Sequence, residues 1–135
     1  MALTQERDTQ RRPGDQGVGP VAAATKIFAG AIVCAQSGAA YFTKGATSAT
    51  LRAVGVADET ADNTGGAAGA INVKYRRDGW FRFKNSASAD LITLADVGAD
   101  CYIVDDETVA KTSNTNARSV AGKVRDVDAD GVWIS

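Results

Sequence analysis

The sequence predicts an all-β protein: a small β-barrel or sandwich-like domain over residues 26–135, preceded by an extended N-terminal arm over residues 1–25, with at most one short helical turn. Three observations carry this expectation. From Lys26 onward, short apolar or alternating runs recur, each ended by a cluster of Gly, Asn, Asp, Ser or Thr, at the spacing of a small sandwich or barrel. The residues before Lys26 show neither strand nor helix periodicity and hold both prolines of the chain. The length, 135 residues, suits one domain with a single core.

Taken in order, the arm reads MALTQERDTQRRPGDQGVGPVAAA, with mixed charges and few large apolar side chains. Fully extended, its first 20 residues span about 65 Å, against about 35 Å for the body, so the arm is long enough to cross a neighbour. If it binds a neighbour, Leu3 and Val18 would be its few apolar anchors, and Arg7, Arg11 and Arg12 are the wagered cationic contacts. It is either held by a partner or a loose tail. Strands are expected at Lys26–Ala35, Ala40–Lys44, Leu51–Ala57, Ala70–Arg76, Trp80–Asn85, Asp100–Val104, Ser119–Val127 and Val132–Ile134, with polar loops at 45–50, 58–69 and 111–118. One helical turn is expected at Thr93–Val97, with Thr93 capping the free amides of Leu94–Asp96 and Gly98 stopping the turn.

The segment Ile71–Asn85 has the strongest local signal, with Asp78-Gly79 at a turn. A two-residue loop would pair Tyr75 with Arg82 and mix apolar with charged residues on both faces. A three-residue loop Arg77-Asp78-Gly79, with Gly79 left-handed, pairs Tyr75 with Phe81 and Val73 with Phe83 and gathers one apolar face. The outer face then carries Asn72, Lys74, Arg76, Trp80, Arg82 and Lys84, with Lys74 opposite Arg82. Like charges placed opposite one another repel by up to about 1 kcal/mol, so either an anionic partner covers this face or it is a solvated edge that deters aggregation. Basic residues beside an aromatic also suggest a single-strand nucleic-acid platform, although Trp80 is the only outward aromatic.

Lys and Arg total 15 against 16 Asp and Glu, so the net charge is −1 and any positive field must be local. His is absent, which excludes His-dependent hydrolases and most zinc enzymes. Apolar residues make up 44% but aromatics only 7%, with much Ala and Gly; the expected core is thin and assembly a source of stability. Cys34 and Cys101 form no CxxC pair and sit in apolar segments, which favours inert buried thiols over a disulfide. The longest apolar run, Ile27–Ala35, is too short to cross a bilayer, so a soluble protein made in the cytoplasm is expected.

Asp126, Asp128, Asp130 and Gly131 match the opening of a calcium-binding EF-hand loop, but no bidentate Glu follows, which favours a solvated hairpin turn. Ala117–Val124 falls short of a phosphate-binding loop, and Gly17, Gly19 and Ala22 of a dinucleotide fingerprint. Acidic clusters at 58–62 and 105–107 lie in turn-rich loops, and no Ser has a His or Lys to activate it. The expectation is therefore no enzyme, no cofactor, no metal and no small-molecule substrate.

Residues Leu91–Ile134 bear a family likeness. Ala-Asp-Val-Gly at 95–98, Cys-Tyr-Ile-Val-Asp-Asp at 101–106, Thr108-Val109, Val-Ala-Gly-Lys-Val at 120–124 and the final Gly-Val-Trp-Ile resemble capsid decoration, or cement, proteins of tailed bacteriophages and prophages. The resemblance is densest over this C-terminal third, extends loosely to Lys26 and leaves out the arm. It implies a compact β-barrel-like virion protein, made in the host cytoplasm, on the outer surface of the capsid. There it would form a homotrimer that bridges neighbouring copies of the major capsid protein and stabilises the shell without catalysis. The wagered contacts are the Lys74, Arg76, Trp80, Arg82 and Lys84 face and the arm, which would add a strand to a neighbour's sheet edge. The alternatives are a single-strand nucleic-acid-binding barrel and a tail or baseplate connector.

Overall fold

A computed structural model describes Ala2 and residues 4–135. Its strands are β1 (Gln16–Pro20), β2 (Thr25–Ile27), β3 (Ile32–Gln36), β4 (Phe42–Lys44), β5 (Leu51–Ala57), β6 (Ala61–Asn63), β7 (Asn72–Arg76), β8 (Phe81–Phe83), β9 (Asp100–Ile103), β10 (Val109–Ala110), β11 (Val120–Asp128) and β12 (Gly131–Ile134). Where at most one short helical turn was expected, the described residues hold two single 3-10 turns, Ser88–Asp90 and Leu94–Asp96. No helix there is long and apolar enough to cross a membrane.

The all-β expectation holds as a sandwich-like arrangement of antiparallel sheets. Sheet I has the order β1-β7-β5-β3-β4 and sheet II the order β10-β9-β11-β12-β8, while β2 and β6 form a two-stranded ribbon. Single bridges, Val21 to Phe42 and Lys84 to Thr108, draw the outer strands of each large sheet together without a continuous closing ladder.

Two cores replace the single one expected, because sheet I is covered on both faces. Ile32, Cys34 and Leu51 pack with Phe83, Cys101, Ile103, Val109, Val124, Val132 and Ile134 of sheet II. Val33, Ala57 and Val73 pack on the other side with Val21, Ile27, Ala31 and Ala61. Successive side chains of a strand point to opposite faces, so Ile32 and Cys34 enter one core and Val33 the other. Two-sided burial explains the unbroken apolar run of β3. The expected strand Lys26–Ala35 is in fact two, parted by a turn in which Gly30 takes φ +88° and Ala31 donates to the Phe28 carbonyl at 3.0 Å. In β5, Ala53 and Val54 face opposite cores, and a bulge opposite Val33/Cys34 shifts the phase so that Val56 again meets the first core.

The largest correction concerns Ile71–Asn85. Gly79 is left-handed, with φ +89°, but β7 and β8 do not pair with one another. Tyr75 lies opposite Gly17 and Ala57, and Phe81 opposite Ile134. The two strands belong to different sheets because Val73 and Phe83 fill different cores, and the turn is a crossover. The arm is also shorter than expected: residues 16–20 form β1, paired in register with β7 from Gln16–Arg76 to Pro20–Asn72. Gly17 and Gly19 permit this close pairing, since a Cβ there would enter the rings of Tyr75 and Phe42. Strand β6 falls inside the expected loop 58–69; its Ala-Asp-Asn sequence has little strand preference, and pairing with β2 supplies the order.

Candidate interaction surfaces

The basic residues singled out from the sequence do not form one face. Lys74 and Arg76 lie on sheet I, where Lys74 is opposite Val18, not Arg82; Arg82 lies on sheet II opposite Trp133. Three of these cations are ion-paired. Arg76 approaches Asp58 at 3.5 Å, Arg82 approaches Asp130 at 3.9 Å, and Lys84 meets Glu107 at 2.8 Å. The Glu107 hydrogen bond, and then its charge, raise the Lys84 pKa above the ordinary lysine value. Arg82 also lies 5.7 Å from the Trp133 ring centroid. Trp80 is 57% exposed in the crossover.

On the arm, Arg7, Arg11 and Arg12 are exposed and carry no ion pair among the described residues; Leu3 lies outside those residues. Val18, expected as an anchor for a neighbouring molecule, is instead a residue of the chain's own edge strand, yet its side chain remains 60% exposed.

An apolar loop is the surface that the sequence reading did not single out. Leu91, Leu94 and Val97 are 44%, 66% and 47% exposed, while Ile92 between them is buried. The loop is held firmly from behind. Asn85 Nδ2 donates to the Ile92 carbonyl at 2.8 Å, and its Oδ1 accepts the Ile92 amide at 3.0 Å. Thr93 is the N-cap, as expected, in a capping box with Asp96: the Asp96 carboxylate accepts the Thr93 amide at 2.8 Å and lies 3.5 Å from Lys111. The Thr93 amide and the nearby Lys111 lower the Asp96 pKa, and Gly98 ends the turn with φ +92°. A signal was present, because residues 91, 94 and 97 recur every three positions, the period of a 3-10 turn, with Ile92 out of phase.

A groove of about 910 Å³ separates the two sheets where β5 and β11 diverge. Its lower wall is apolar, with Ile32, Phe83 and Ile134; the exposed Arg52 and Arg77 lie at its rim, and the mostly buried Arg118 also lines it. No Asp, Glu or Cys lines it among the described residues. Both thiols are buried elsewhere in the first core, and burial pushes Cys34 and Cys101 up to about 12. Asp126 and Asp128 end β11 and Asp130 lies in the hairpin turn to β12: Asp128 Oδ1 accepts the Asp130 and Gly131 amides at 2.8 and 3.1 Å, and Oδ2 accepts Trp133 Nε1 at 2.8 Å. Compared with family profiles, curated proteins and solved structures, the chain gives no match.

Proposed function

We propose that this chain is a structural protein of a phage head, acting by adhesion: it binds the outside of the capsid as a trimer and bridges neighbouring major capsid proteins. The resemblance over Leu91–Ile134 motivates this reading. The observation that carries it is the hydrogen-bonded loop that turns Leu91, Leu94 and Val97 outward within the stretch where the resemblance is densest. Large apolar side chains held in solvent by partly buried hydrogen bonds behind them describe a preorganised contact surface, for which less ordering entropy remains to be lost on binding. The chain lacks His, buries both thiols and has no Asp or Glu side chain among the described residues lining its groove, which fits a role in adhesion. The separation of Lys74 and Arg76 from Arg82 and Lys84 onto different sheets favours this reading over a continuous basic track for single strands.

The test mixes purified protein with empty phage heads and follows co-sedimentation and electron micrographs. The expected result is binding at threefold positions, lost in Leu94→Asp/Val97→Asp without loss of folding. Heads that stay bare, or binding indifferent to that pair of substitutions, would sink the proposal. Salt-sensitive capture of an oligonucleotide in place of heads would point to the nucleic-acid alternative.

A further inference from the structure

The groove between the sheets is walled by two strand edges that lack partners. On sheet I, β5 pairs with β3 along Leu51–Val56, but β7 joins its other side only from Val56 onward. On sheet II, β11 pairs with β9 along Val120–Lys123, while the β12 side is occupied only from Lys123, which exchanges backbone hydrogen bonds with Ser135 at 3.0 and 3.1 Å. One end is pinned by the Leu51 amide donating to Ser119 Oγ at 3.0 Å. Open main-chain edges above an apolar lower wall form a receptor for one extended strand. The rim selects its charge. Arg52 and Arg77 are exposed there without an ion pair among the described residues. Arg118, although it binds Asp90 at 3.2 Å, keeps a buried Nε with no acceptor, the one such side-chain atom among the described residues.

We infer that this groove receives residues Thr4–Gln10 of the N-terminal arm of a second copy of the chain, added as a strand along β5. In an extended segment Glu6 and Asp8 fall on one face and Arg7 and Thr9 on the other, so a single face presents two carboxylates to the arginine rim. Length agrees as well. Seven residues span about 23 Å, enough to cover the roughly 17 Å of the open β5 edge, Leu51–Gly55. The donor segment is free, because residues 4–15 are exposed throughout and none lines the chain's own groove. Its first anchorage to the body is the Arg77 amide donating to the Asp15 carbonyl at 2.9 Å. The arm thus leaves from the rim of one groove with enough reach for the next molecule. Groove and arm are different surfaces, so the contact is head-to-tail and builds a ring or an open row of copies.

The full-length protein without phage heads tests this, so a failure of capsid binding leaves the result readable. Wild type should show a mass that rises with concentration in light scattering. Glu6→Arg/Asp8→Arg and, separately, Arg52→Glu/Arg77→Glu should each weaken self-association at least tenfold, and mixing the two variants should restore it. A mass that stays monomeric, or is unmoved by both reversals, overturns the inference. Crosslinking gives an independent reading, since the native thiols are buried. Asp8→Cys and Arg52→Cys chains, mixed and mildly oxidised, should give a disulfide-linked pair. If one chain carrying both cysteines instead closes on itself at high dilution, the arm fills its own groove and the second copy is ruled out.

Discussion

Trp133 and Asp128 lock the C-terminal hairpin. The indole Nε1 donates to Asp128 Oδ2 at 2.8 Å, while the other carboxylate oxygen gathers the amides of the turn. The Trp133 hydrogen bond, followed by the Asp130 amide, holds the Asp128 carboxyl below the usual aspartate value.

Acid should therefore weaken this hairpin. A carboxyl whose pKa is lower folded than unfolded contributes in full above the unfolded value, near 4, and loses that contribution as pH falls through the folded value. Asp62, Asp90 and Asp96 shift the same way, so stability should decline from about pH 4 downward. Trp133→Phe keeps a ring under Arg82 but removes the donor. Its deficit relative to wild type, measured by denaturant titration, should be clear at pH 7 and shrink below pH 4; a deficit independent of pH would contradict the assignment.

The first core should be costly to empty. Ile103 is fully buried between the sheets, and Ile103→Ala should lose about 2–5 kcal/mol in urea unfolding. Leu94→Asp, on the exposed loop, should change stability by no more than about 0.5 kcal/mol. Equal losses at the two positions would mean that the burial assignment is wrong.

Gly55 should tolerate no side chain. A Cβ there would run into the Arg76 carbonyl, a backbone atom that cannot swing aside as a side chain can. Gly55→Ala is expected to cost about 1–3 kcal/mol and to raise hydrogen exchange of the Asp58 amide, which donates to the Lys74 carbonyl. Unchanged protection would argue against the close approach of β5 and β7.

The two thiols should stay silent in the native protein. With Cys34 and Cys101 at about 12, a thiol reagent at pH 8 should find almost no thiolate, then titrate both groups once denaturant is added. Rapid native reaction of either one would contradict its burial.

Much of the strand pattern is legible in the sequence. Leu51–Ala57 coincides with β5 at both ends, since polar loop residues flank an apolar run on each side. What misleads is the assumption of one core. Val73 and Phe83 are equally apolar, and nothing local to either says that they point into different clusters, so the shortest turn between them reads as a hairpin. The same assumption placed Lys74 beside Arg82. Leu91, Leu94 and Val97 were legible by their spacing, whereas Arg52 and Arg118 reach the same groove only through pairing distant in sequence.

Sheet I is a party wall, with lodgings on either side that lean on the same masonry. Disturb β3 and both tenants feel it, so heating should dissolve the body in one sharp calorimetric event, with no half-melted survivor to hold on by the other side.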